Sequence, residues 1–219
     1  MLVSSGRGIL ARGSWQSDQV EARWLPEAFE PSAEIERLAD AAVDGLRERG
    51  SPAHDGMATR LAGWREESGR LLLDLQPIRW ALRLVEDDAC ESLTALCVVR
   101  AEDGRWLAGR RAGWVSTWAH RWALGAGGAV DLGESPAETL SRELSEEWQL
   151  EPQRLSVEAL VGLPNSVVMV VGLATVADTS DPVPDHEHDD WAWWPSAVDE
   201  WPGEADDRLR LMGRLLAER

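Results

Sequence analysis

The chain has 219 residues with 39 acidic and 22 basic side chains, every basic one an arginine, and a formal net charge of −17. That balance excludes a polymeric nucleic-acid partner and an anionic membrane surface, because both need a basic face to displace counterions. At 44% hydrophobic the chain is too apolar for a disordered acidic tail, and its length suits one ordinary domain plus an extension.

From the N-terminus, Met1 to Trp15 has no apolar run of signal-peptide length, and a soluble, cytoplasmic protein is expected. Ser32 to Arg49 reads as a helix, with Pro31 before it, Gly50 after it, and Ile35, Leu38, Ala42 and Leu46 at helical spacing. Ser51-Pro52 and Asp55-Gly56 mark turns, and short strand-like runs follow at Ala58 to Leu61 and Leu71 to Leu75. Residues 1–85 are expected to form a small helix-plus-hairpin extension to a domain over 86–219. Cys90 and Cys97 are too few for a disulfide framework and lack metal-ligand spacing, so they read as reduced, buried and intracellular.

From Ser92 the pattern becomes regular. Leu93 to Arg100 is an apolar strand, Asp103-Gly104 a hairpin signal, and Arg105 to Arg111 the returning strand. A glycine-rich stretch (Gly125, Gly127, Gly128) leads through an acidic loop to a helix. Ser135 is its N-cap, Pro136 its first position, and Glu138 completes a capping box. Strands follow at Glu158 to Leu163 and Val167 to Val176, then a Pro/Asp/His loop and the Trp191 to Trp194 run. An amphipathic helix with Leu209, Met212 and Leu216 closes the chain. This alternation predicts an α/β fold, a mixed sheet covered by helices.

The central helix carries the chemistry. Leu140, Leu144 and Trp148 recur every fourth residue as the packing face, and Glu143 and Glu147 lie one above the other beside Glu146. Like charges at this spacing cost about 0.2–0.5 kcal/mol each when exposed and more when desolvated. Arg142 offsets only part of that. A hard divalent cation would relieve the rest, and Mg²⁺ accepts a few carboxylates while keeping positions for water and phosphate oxygens.

The segment from Gly127 to Leu150 resembles the Nudix box: a glycine, five residues, a glutamate, seven residues, then Arg-Glu-aliphatic-x-Glu-Glu-x-Gly-aliphatic. Gly128, Glu134, Arg142, Glu143, Leu144, Glu146, Glu147 and Leu150 fill it with every gap correct, and Gln149 stands where the family usually has glycine. Trp122 is similar to the tryptophan that precedes the box in the family. The resemblance implies an α/β/α Nudix sandwich that hydrolyses a nucleoside diphosphate linked to another moiety, with ADP-ribose or nucleotide sugars favoured. It further implies Mg²⁺, or Mn²⁺, held by Glu143 and Glu147, with Glu146 sharing the cluster and the Gly127 carbonyl as a backbone ligand. Arg142 would orient the carboxylates as part of the catalytic set, and Glu134 and Gly128 would be structural. The implied partner is a small nucleotide, with no nucleic-acid polymer and no membrane; the oligomeric state stays open, a homodimer included.

Several residues keep two readings. Glu187, six residues before Trp193, matches the place of an extra ligand or catalytic base in the resembling family, or it belongs to a solvated acidic loop. The flanking His186 and His188 suggest zinc only weakly, with no further His or Cys nearby. Arg110 and Arg111 alternate, so at most one naturally faces a pocket and binds substrate phosphate; the other reading is a surface arginine. One of Trp114, Trp118 and Trp122 is expected to stack on a nucleobase and the others to be core, like Trp24, Trp64 and Trp80. Pro164 fits either an ADP-ribose-cleaving pattern or a plain turn beside Asn165. The alternative function is a catalytically silent nucleotide-binding or regulatory module. An isopentenyl-diphosphate-isomerase-like enzyme ranks lower, because neither cysteine sits in a matching motif.

Overall fold

In the computed structural model, residues 8–50, 55–115 and 117–218 are described. The expected Ser51-Pro52 turn lies outside them. The strands are β1 (Gly8–Gln16), β2 (Val20–Trp24), β3 (Met57–Glu67), β4 (Arg70–Arg79), β5 (Leu93–Ala101), β6 (Trp106–Arg111), β7 (Trp122–Leu124), β8 (Ala126–Ala129), β9 (Arg154–Gly162), β10 (Val168–Val176) and β11 (His188–Trp194). The helices are α1 (Ala33–Glu48), α2 (Pro136–Trp148) and α3 (Asp207–Ala217). Strand pairing follows the order β1-β9-β10-β5-β6-β11, with β7 on β6 and β8 on β5; a separate sheet runs β2-β4-β3. The α/β class is the one expected. No helix among the described residues is long and apolar enough to cross a membrane.

The chain forms two compact units, one of Met1–Ala95, Gly128–Thr139 and Val157–Val171, the other of Leu96–Gly127, Leu140–Ser156 and Gly172–Arg219. In the first, the expected hairpin is far longer than the two apolar runs suggested. β3 and β4 pair antiparallel from Met57↔Arg79 to Glu67↔Arg70, and β2 adds parallel to β4. Ser68 (φ 51°) and Gly69 (φ 76°) make the two-residue turn, whose paired positive φ values match the twist of the strands. Helix α1 starts where predicted, Ser32 Oγ accepting from the Ile35 amide at 3.3 Å. Its buried face is Ala39, Val43 and Leu46, whereas Leu38 is exposed. The expected face through Leu38 and Ala42 is thus rotated by one residue, because Val43 and Ala39 meet the cluster of Ala58, Ile78, Ala81, Leu82 and Val85. Strands β1 and β2 were not expected. Trp24, Trp64 and Trp80, expected in the core, are half-buried.

In the second unit β6 is paired on both sides, with β11 from Arg111↔His188 to Trp106↔Trp194 and with β7 through Arg110↔Trp122. The glycine-rich stretch lies in strands β7 and β8, which meet at Gly125. Four tryptophans form a row: Trp122 lies 5.5 Å from Trp194, Trp194 is 5.2 Å from Trp201, and Trp201 is 5.9 Å from Trp106. Their buried indole donors are satisfied, Trp106 Nε1 by the Ser196 carbonyl (3.2 Å) and Trp201 Nε1 by that of Pro195 (2.8 Å). Helix α3 buries Leu209, Gly213 and Leu216, with Met212 only half-buried. Cys90 and Cys97 are free and buried.

Candidate functional site

Helix α2 is built as its sequence dictates. The Ser135 amide donates to Glu138 Oε2 (2.7 Å) and the Glu138 amide to Ser135 Oγ (3.3 Å), a complete capping box. Leu140, Leu144 and Trp148 are fully buried. At the far end Gln149 takes φ 53°, the left-handed conformation that a glycine adopts without strain, and its amide donates to the Ser145 carbonyl at 3.0 Å. The helix exit survives the substitution. The orphan carbonyls of Glu147 and Trp148 accept from the amides of Asp185 (2.8 Å) and Val183 (3.0 Å).

Because Leu144 and Trp148 face inward, Glu143 and Glu147 one position earlier are drawn in as well, and only 9% and 5% of their surfaces remain exposed. Glu147 Oε1 accepts from the Gly127 amide at 3.0 Å. Its Oε2 is buried and accepts no hydrogen bond. Arg142 Nη1 bridges Glu143 Oε1 (2.8 Å) and Glu146 Oε2 (3.0 Å), so the three glutamates are not equivalent. Glu146 is largely exposed.

Burial sets the electrostatics. Desolvation raises the pKa of Glu147, the Gly127 amide opposes this, and the charge of Glu143 adds to it, while Arg111 lowers it and Glu187 raises it. Desolvation likewise raises Glu143, against the lowering effect of Arg142. Arg111 Nη1 holds Glu187 Oε2 at 2.9 Å, with only 16% of the arginine side chain exposed. Arg110, on the opposite face, pairs with Asp189 at 2.6 Å in solvent. The strand alternation therefore selects Arg111 and leaves Arg110 outside the cluster.

Gly127, Arg142, Glu143, Glu146, Glu147, Arg111 and Glu187 are thus gathered in one unit. Gly128 and Glu134 have their own partners in the other unit: the Gly128 carbonyl accepts from Thr94 Oγ1 (2.5 Å) and Glu134 Oε2 from Thr139 Oγ1 (2.8 Å). Trp122 is half-buried in the tryptophan row. Trp114 and Trp118, whose expected place was the core if they did not stack on a base, are exposed; Trp114 stacks on His186 at 5.0 Å.

Sequence reasoning missed His188. Its ring lies 4.5 Å from that of Trp148, with Nδ1 3.2 Å from Asp185 Oδ1 and Nε2 3.7 Å from Glu147 Oε2. Burial lowers its pKa, with the Asp185 contact acting against this. The signal available was its place at the start of a strand pairing with β6, which a charge-rich loop concealed.

Two buried carboxylates, one with an unpartnered oxygen, form a donor set of the kind a hard divalent cation satisfies. Among the described residues no three His, Cys, Asp or Glu side chains stand in metal-enclosing geometry. A cation held here would keep positions for water and substrate oxygens.

A model of the NUDIX domain matches residues 91–209. No curated protein sequence matches the chain. Among solved structures the chain is similar to the MutT protein from Methanosarcina mazei Go1, at 23% identity and a TM-score of 0.45 over 58% of this chain and 94% of that one. It is similar to the NUDIX domain of Shewanella oneidensis NrtR complexed with ADP ribose, at 22% identity and a TM-score of 0.48 over 58% and 87%. A C. elegans Ap4A hydrolase follows at 19% identity and a TM-score of 0.45 over 58% and 96%. At these values the three likenesses decide nothing about substrate.

Proposed function

The chain belongs to the Nudix hydrolase family, whose domain model covers more than half of it, and from that premise we propose that it is a divalent-cation-dependent pyrophosphohydrolase cleaving the diphosphate linkage of a nucleoside diphosphate joined to another moiety, with ADP-ribose or a nucleotide sugar as the favoured class. The observation that carries this reading is the buried Glu143–Glu147 pair with its unpartnered Oε2. Mg²⁺ is the expected cation, with Mn²⁺ as a substitute.

Glu143 and Glu147 would hold the cation, with Glu146 sharing the cluster and the Gly127 carbonyl as a backbone donor. A bound divalent cation supplies Lewis acidity to the diphosphate group. Arg142 bridges Glu143 and Glu146 and fixes their orientation through two short contacts. Arg111 is placed to contact substrate phosphate oxygens, giving a net-acidic protein a cationic hold on an anionic substrate. Glu187, anchored by Arg111, is the group we assign to accept the proton of the attacking water as the phosphorus–oxygen bond of the anhydride breaks.

Cation binding to the folded state alone stabilises it by RT ln(1 + [L]/Kd), about 2.7 kcal/mol at a hundredfold excess over Kd. For a chain of this size that raises Tm by about 2–4 °C per kcal/mol. Thermal unfolding in millimolar Mg²⁺ should show this rise, and Glu147→Gln should remove it. An unchanged Tm for the wild type would contradict the metal-site assignment.

A further inference from the structure

Strand β8 carries Gly127 and Gly128 in succession. Neither has a side chain to pack, and a glycine populates both signs of φ about equally, so these residues do not themselves set the direction of the peptide group that joins them. That direction has to come from partners. On the near side the Gly127 amide donates to Glu147 Oε1 at 3.0 Å. On the far side the Gly128 carbonyl accepts from Thr94 Oγ1 at 2.5 Å, the short end of the range for a hydroxyl donor. The Gly127 carbonyl lies between these two anchors along the chain.

Thr94 stands on β5, the strand that pairs with β8. Leu93 beside it holds the same stretch through the main chain, its carbonyl accepting from the Val130 amide at 3.2 Å. Valine has the shape of threonine and suits a strand at least as well. What threonine adds at this position is the hydroxyl donor.

We propose that Thr94 is a positioning residue: its hydroxyl, bonded to the Gly128 carbonyl, fixes the peptide group between Gly127 and Gly128 and so presents the Gly127 carbonyl to a divalent cation. The inference rests on the metal-site reading above. Thr94 itself touches neither cation nor substrate, and its effect passes through the backbone of the two glycines. Partners of this outer kind change metal affinity by about 10–100-fold when removed.

Thr59 supplies an internal comparison. Its fully buried hydroxyl donates to the Asp131 carbonyl at 3.1 Å. That carbonyl also accepts from the Glu134 amide at 3.1 Å, and it lies well beyond the glycine pair. Loss of the Thr59 bond should loosen the fold and leave the Gly127 carbonyl in place.

The test uses Mn²⁺ alone, titrated into the full-length protein without nucleotide, with free Mn²⁺ read by electron paramagnetic resonance. Thr94→Val keeps the shape and loses the donor, and should weaken Mn²⁺ binding by about tenfold or more. Thr94→Ser keeps the donor and loses a methyl group; it should bind as the wild type does, even with a lowered Tm. Thr59→Val should lower Tm and leave affinity unchanged. If Thr94 only filled space, the order would reverse, with valine tolerated and serine weakened. Wild-type affinity in Thr94→Val would overturn the proposal, and so would an equal loss in Thr59→Val. Should Thr94→Val not fold, Thr94→Ala set against Thr94→Ser makes the same comparison of hydroxyl absent and present. Failure of the wild type itself to bind Mn²⁺ would overturn the metal site and this inference with it.

Discussion

Glu147→Gln is expected to abolish hydrolysis, lowering kcat by about a thousandfold or more, while leaving the fold intact. The magnitude is that of removing a preorganised electrostatic group from a dry site. The fold should survive because the amide is nearly isosteric and its oxygen can still accept from Gly127 N, as Oε1 does at 3.0 Å. The variant also removes a carboxyl whose ionisation is opposed by burial and by the neighbouring Glu143. Activity and stability therefore separate: the metal-free variant melts at or above the wild-type temperature, and its activity is gone. Steady-state kinetics and thermal unfolding on the same preparation measure both. Full activity in the variant would remove Glu147 from the site.

Gly125→Ala is expected to be the most damaging single change outside the glutamates. Gly125 has φ +64°, a region that costs an L-residue about 1–2 kcal/mol. A Cβ built there runs into the carbonyl oxygen of Cys97, with the carbonyl carbon 2.8 Å away. Backbone cannot rotate aside as a flexible side chain does, so overpacking adds about 1–3 kcal/mol or more. The carbonyl of Gly125 also accepts the Trp148 indole proton at 3.0 Å, so any shift is passed to the helix that carries Glu143 and Glu147. A loss of about 4 kcal/mol or an insoluble product is expected in urea unfolding. A loss below about 1 kcal/mol would show that the turn relaxes freely.

The sequence made α2 legible because every local signal agreed there: cap, proline, capping box and a packing face at one spacing. The box pattern picks out Gly127, Glu143 and Glu147, which lie together in the fold, and strand alternation puts Arg110 and Arg111 on opposite faces. What it could not supply was context. The face of α1 was misplaced by one residue because Leu38 is the more apolar choice on paper, while Ala39 and Val43 are the residues that join the cluster of Ala58, Ile78, Ala81, Leu82 and Val85. Strands β1 and β2 were invisible because their alternation is broken by Gly13 and by paired charges, and their pairing is with distant segments. The tryptophans divided in a way that residue type does not encode: Trp106 and Trp148 are fully buried, and Trp114 and Trp118 are exposed. His188 stayed hidden among six acids over residues 178–190, since its burial depends on pairing with Arg111 of β6.

The acidity of the chain also gained a place. Residues 131–151 hold seven acids against one arginine, and residues 178–190 hold six against none. Glu143 of the first segment and Glu187 of the second both act on Glu147.

The central claim is tested most directly by incubating the purified protein with ADP-ribose, a nucleotide sugar, a dinucleoside polyphosphate and nucleoside triphosphates, each with Mg²⁺ and with chelator. The account predicts that at least one of the first two is cleaved at the diphosphate linkage to a nucleoside monophosphate, only with the cation present, and not by Glu147→Gln. Metal-dependent binding without cleavage of any of them would contradict it and make the protein a nucleotide-binding module.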